Sequence, residues 1–125
     1  MISSHVLDTS LGCPARNLTV HLDVLEAHDG AQNEAQDGAD PREAWRRLGS
    51  GVTNQDGRVS DLADAAALAG RTCRLSFETG SYFVATSRPM FFPRVDVVFM
   101  PAPGAARYHL PLLLSPFGYS AYRGS

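Results

Sequence analysis

Of the 125 residues, no apolar run reaches the roughly 20 needed to cross a bilayer as a helix. The chain also lacks a charge of one sign in excess. Eleven basic and 13 acidic side chains give a formal net charge of −2, so no basic face marks a nucleic-acid partner. Cysteine is scarce. Cys13 and Cys73 are too few for a disulfide scaffold, and their separation fits no metal motif. The four histidines are scattered and form no Cys/His cluster of zinc spacing. There is no GxGxxG, P-loop or GxSxG sequence and no internal repeat of useful length. Met1-Ile-Ser-Ser-His-Val carries neither the charged nor the apolar region of a secretory signal, and the last residues are not a Ser-Lys-Leu address. The expectation is a cytoplasmic protein with reduced thiols, no membrane partner and no nucleic acid.

What is present is a 44% hydrophobic, 19% charged chain of a length that supports one domain, residues 1–125, around a single core. Apolar residues mostly alternate with polar ones, the period of half-buried strands. Leu18, Val20, Leu22 and Val24 point one way, and Asn17, Thr19, His21 and Asp23 the other. Ser3 to Asp8, Thr72 to Glu78 and Arg94 to Phe99 read the same way. Residues 27–40 are small, polar and acidic, which suits a surface loop. Asp40-Pro41-Arg42-Glu43 has the form of a helix start, with Trp45 and Leu48 at helical spacing beyond it. Gly49 and Gly51 would stop such a helix within two turns. Asn54-Gln-Asp-Gly57 is a tight-turn signal, and Ala63 to Gly70 allows one helical turn. Seven or eight short strands at this spacing imply an all-β sandwich.

The last eighteen residues, Tyr108 to Ser125, stand out because chain ends are usually frayed and polar. Tyr108, Leu110, Leu112 and Leu114 alternate with His109, Pro111, Leu113 and Ser115. Ser115-Pro-Phe-Gly118 signals a turn, and Tyr119 to Tyr122 resumes an extended run. Pro111 removes a ladder donor, so this strand is expected to be an edge or to be distorted there. His109, among leucines, needs a polar partner or a wet face. His5 shares a face with Ser3 and Leu7. A solvated strand histidine explains His5 more readily than a functional one, a solvated turn arginine explains Arg58, and pairing with an acid or the terminal carboxylate explains Arg123. Ser115 reads as a turn residue, and His21 and His28 as ordinary surface histidines. No Ser/His/Asp or Cys/His relay assembles from spacing alone.

The closing segment resembles the C-terminal signature of the 5-hydroxyisourate hydrolases, the transthyretin-related proteins of purine degradation. Their pattern, Tyr-His-x-Pro-Leu-Leu-x-Ser-Pro-x-Gly-Tyr-Ser-Thr-Tyr-Arg-Gly-Ser, is departed from only at Ala121. Ser4-His5-Val6-Leu7-Asp8 is similar to that family's first strand, Thr53 to Arg58 to its arginine turn, and Phe91 to Phe99 to its sixth strand. The resemblance therefore spans nearly the whole chain, with a longer loop at about 27–43. It implies a transthyretin-like β-sandwich of two four-stranded sheets with one short helix. It places Trp45 to Thr53 in the third strand rather than a helix, and Gly80 to Ser87 in the helix. It also implies a homotetramer, a dimer of dimers whose active sites lie where two dimers meet.

The residues carried over are His5, Arg58 and His109, with Tyr122, Arg123, Gly124 and Ser125 of the tail. Many members have His-Tyr-His where this chain has Arg107-Tyr108-His109, which puts any role of that outer position in doubt. The implied reaction is opening of the 5-hydroxyisourate ring by water, with no cofactor and no metal. His109 and His5 would position and deprotonate the water, Arg58 would hold substrate oxygens and developing charge, and Tyr122 and Ser125 would donate or accept hydrogen bonds. A transthyretin-like carrier of a small ligand is the rival, but a carrier has no reason to keep this polar set together. A structural sandwich without a site explains the strands and not the ending.

Overall fold

The computed structural model describes residues 1–26, 44–104 and 106–124. The acidic loop, the helix-start signal at Asp40, His28 and Ser125 lie outside the described residues. Among the described residues, nine strands form two sheets. They are β1 (Ile2–Asp8), β2 (Cys13–Pro14), β3 (Thr19–Glu26), β4 (Ala44–Val52), β5 (Arg58–Val59), β6 (Cys73–Phe77), β7 (Val95–Phe99), β8 (Tyr108–Ser115) and β9 (Gly118–Ala121), with helix α1 (Thr79–Ala85) between β6 and β7. The first sheet runs β2-β1-β8-β9 with β5 also on β1, and the second runs β4-β3-β6-β7. The expected pair of four-stranded sheets is thus present, extended by the two-residue strand β2. No described helix is long and apolar enough to cross a membrane.

Alternation builds the core. Ile2, Val6, Val20, Leu22, Val24, Leu75, Leu112 and Leu114 are fully buried between the sheets, joined by Phe83 from α1. Trp45 lies in β4, antiparallel to β3, so strand pairing overrides its helical spacing there. The alanine-rich segment makes one 3-10 turn, Ala65–Leu68, capped by the Asp64 carboxylate accepting from the Ala66 amide at 3.0 Å. Ser115 closes the β8–β9 turn, its hydroxyl donating to the Gly118 carbonyl at 3.1 Å.

β8 is not an edge. It lies between β1, to which it runs parallel, and β9. Pro111 is accommodated by the other option, a lapse in the ladder. Pairing with β9 stops at Leu112 opposite Ala121 and returns only as an isolated bridge between His109 and Gly124. The proline thus sits where the partner strand ends, and the chain beyond it is held by a few single bonds.

Two ionic clusters pin elements to the sheets. Asp8, at the end of β1, accepts from the Tyr82 hydroxyl at 2.7 Å and pairs with Arg88, tying α1 and its exit to the first sheet. Asp23 points away from the core yet is buried beneath Arg47 and Arg74, and Arg74 lies 4.3 Å from the Trp45 ring centroid.

Candidate active site

The sheet register decides which polar side chains meet. On β1, Ile2, Ser4, Val6 and Asp8 are buried, while Ser3, His5 and Leu7 are half-buried on the outer face. Parallel pairing sets Ser3 opposite His109 and His5 opposite Pro111. On the other edge of β1, β5 sets Arg58 opposite His5. Residues 5, 58 and 109, far apart in sequence, therefore share one face.

Arg58 is aimed by its turn. The Asn54 side-chain oxygen accepts from the Asp56 and Arg58 amides at 2.9 and 3.0 Å, and the Asn54 amide donates to the Arg58 carbonyl at 2.9 Å. Gly57 has φ +73°, and a Cβ there would lie 2.4 Å from the Val6 carbonyl oxygen. Only glycine lets this turn close against β1 and deliver the next side chain beside His5. The Arg58 side chain is exposed, and no ion pair among the described residues engages it.

The His5 and His109 ring centroids are 6.4 Å apart, tilted by 34°. His109 Nδ1 lies 2.9 Å from Ser3 Oγ. Burial pushes the His109 pKa below the usual histidine value, and the nearby charges of Arg58 and His5 push it further the same way. The imidazole is therefore neutral near pH 7 and able to accept a proton. Among the described residues no three His, Cys, Asp or Glu side chains converge as a metal-ligand set. The chemistry within reach is a neutral imidazole base, a second imidazole and a planar cation for an oxyanion.

The tail runs alongside β8 next to this face. The Gly124 amide donates to the His109 carbonyl at 2.7 Å, and a Cβ on Gly124 would stand 3.0 Å from His109 Cδ2. Glycine thus lets the tail backbone lie against the imidazole edge. The Tyr122 amide donates to the Pro111 carbonyl at 3.3 Å, and its side chain is 53% exposed. Arg123 sits elsewhere. It lines a cavity of about 110 Å³ with Tyr108, Leu110 and Phe99, on the side of β8 away from the histidines. The structure thus brings together His5, Arg58, His109 and Gly124, puts Tyr122 at their flank, and separates Arg123 from them within one chain. Ser3 was not among the residues expected to act. Its only signal in the sequence was its place two residues before His5; the parallel β1–β8 pairing that sets it against His109 has no local signature.

A sequence model of the HIUase/Transthyretin family matches residues 2–124. The 5-hydroxyisourate hydrolase of Mus musculus is 36% identical over 124 residues, covering 99% of this chain and 94% of that protein. The structure of Klebsiella pneumoniae 5-hydroxyisourate hydrolase superposes with a TM-score of 0.72 at 34% identity, covering 99% of this chain and 97% of that one. Sea bream transthyretin in complex with thyroxine superposes with a TM-score of 0.77 at 25% identity, covering 98% and 93%. Shape alone does not separate a hydrolase from a carrier; the higher identities to the hydrolases favour the hydrolase.

Proposed function

Because the chain belongs to the HIUase/Transthyretin family, we propose that it hydrolyses 5-hydroxyisourate to 2-oxo-4-hydroxy-4-carboxy-5-ureidoimidazoline in urate degradation. The observation that carries this reading is the convergence of His5, Arg58 and His109 on one sheet face, with the His109 imidazole held neutral.

His109 takes a proton from water as the oxygen attacks a ring carbonyl, a role worth on the order of 10²- to 10⁴-fold. His5, whose ring centroid lies 6.4 Å from that of His109, orients the water or substrate from the other side. Negative charge develops on the carbonyl oxygen, and the Arg58 guanidinium stabilises it through paired N–H donors. Collapse of the tetrahedral species breaks the ring C–N bond, and the proton held on histidine passes to the departing nitrogen. Each step uses groups already on this face and requires no cofactor.

The tetramer belongs to the same proposal. Arg58 and Tyr122 are exposed on a single chain, as expected of a face that a second subunit covers. Ser125, and Arg123 where it contacts substrate, would then act across the interface between dimers. A cytoplasmic location completes the reading. A transthyretin-like carrier finds support in the shape match to the thyroxine-bound protein. It leaves the cationic and imidazole groups without a use.

The test is product identity. Urate labelled with ¹³C is oxidised by uricase with and without the protein, and the products are followed by NMR. Rapid appearance of the ring-opened ureidoimidazoline supports the proposal. Decay of 5-hydroxyisourate at the spontaneous rate overturns it.

A further inference from the structure

A neutral histidine acts as a base only through the ring nitrogen that carries no proton. Which nitrogen that is depends on what the other one touches. In His109, Nδ1 faces Ser3 Oγ at 2.9 Å. The same hydroxyl lies 3.5 Å from the Tyr108 carbonyl oxygen, an acceptor with no proton to give. A serine hydroxyl donates one bond. If it donates to Tyr108, its lone pairs face Nδ1, which must then carry the proton, and Nε2 is left bare. Ser3 is itself fixed, because β1 and β8 hold it opposite His109 in register and its neighbour Ser4 is buried, its hydroxyl donating to the Leu110 carbonyl at 2.6 Å.

We infer that Ser3 is a positioning residue for the base: it accepts from His109 Nδ1–H, donates to the Tyr108 carbonyl, and so keeps Nε2 unprotonated toward the substrate. The inference deepens the hydrolase reading and rests on it. Histidine free in water favours the opposite tautomer, with the proton on Nε2. Without Ser3 the imidazole would therefore sit mostly in a form that cannot accept a proton at the reacting end. The role requires no contact between Ser3 and substrate.

The test uses the full-length protein with ¹⁵N-labelled histidine. In the wild type at neutral pH, the His109 ring shows a protonated Nδ1 and an unprotonated Nε2; the reverse assignment overturns the inference. In Ser3→Ala, kcat falls roughly tenfold, the scale of one lost neutral hydrogen bond acting on a general base, while KM stays within twofold. The ring signals move toward the Nε2–H form. Ser3→Thr, which keeps the hydroxyl, restores both. A Ser3→Ala protein with undiminished kcat, or with reduced kcat and an unmoved tautomer, also overturns it. The wild-type spectrum needs neither a variant nor a substrate. Should the protein fail to hydrolyse 5-hydroxyisourate, the function falls separately from the Ser3–His109 arrangement.

Discussion

On the proposed mechanism His109 is the residue on which the chemistry turns, and its environment sets when it would work. Burial, then the Arg58 charge, then His5 hold its pKa below the usual histidine value. Activity that needs the neutral ring should therefore persist below the ordinary histidine range and fall only at lower pH. Arg58→Gln removes one of the positive neighbours. The His109 pKa, read by an NMR titration of the ring, should then rise part of the way to its ordinary value, burial still holding it down. An unchanged titration would remove Arg58 from the electrostatics of the site. At this scale the sequence was half legible. Alternation put His5 and His109 off the core face, and the family resemblance singled out Arg58. Local pattern could not say that Ser3 would meet His109 Nδ1, since those residues pair through parallel strands at opposite ends of the chain. Nor did it separate Arg123 from its neighbours in the tail, where one step of alternation turns a side chain to the other face of the sheet.

The elements that hold this face are anchored from behind. Asp8 ends β1 with its side chain wholly buried against Arg88 and Tyr82. Burial by itself would raise the Asp8 carboxyl. The bonds from Arg88 foremost, then Tyr82, Ser10 and the Leu11 amide, instead hold it well below the carboxylate range, while the Tyr82 hydroxyl is pushed up to about 12. A carboxyl lowered by folding stabilises the fold above its ordinary pKa, and that contribution disappears as pH falls toward the folded value. Asp8→Asn should cost about 3 kcal/mol at pH 7, the scale of a buried pair broken from one side. Urea midpoints at fixed protein concentration measure this, and the gap between wild type and variant should narrow as pH drops below 4. A gap independent of pH would assign the loss to packing alone. Among the elements, alternation gave β1, β3, β6, β7 and β8 within a residue or two. The strand at Trp45 and the lapse at Pro111 needed their partners, because helical spacing and a missing donor acquire a meaning only once β3 and β9 lie alongside.

At the scale of the molecule, two sheets enclose the core and the outer face of one carries the proposed site. The closing segment, an apolar strand with a polar ending, divides between these tasks. Tyr108, Leu110, Leu112 and Leu114 fill the core, while His109 and Gly124 complete the face that carries the proposed site. Removing Tyr122 to Ser125 should therefore cost at least about a hundredfold in turnover, by exposing the base and deleting its neighbours. The thermal midpoint of a single subunit should change little, because Tyr122 and Arg123 are exposed. Calorimetry and sedimentation of the truncated protein check this, and a collapse of the fold with activity merely in proportion would contradict it. The most direct measurement of the central claim is the decay of 5-hydroxyisourate absorbance after uricase has consumed urate, recorded with the wild type, with His109→Asn and with neither. Decay should be fast with the wild type and should slow by about 10²-fold or more with an equally folded His109→Asn protein. Equal rates for wild type and variant would contradict the assignment of His109 as the base, and a wild-type rate no faster than the blank would contradict the activity itself.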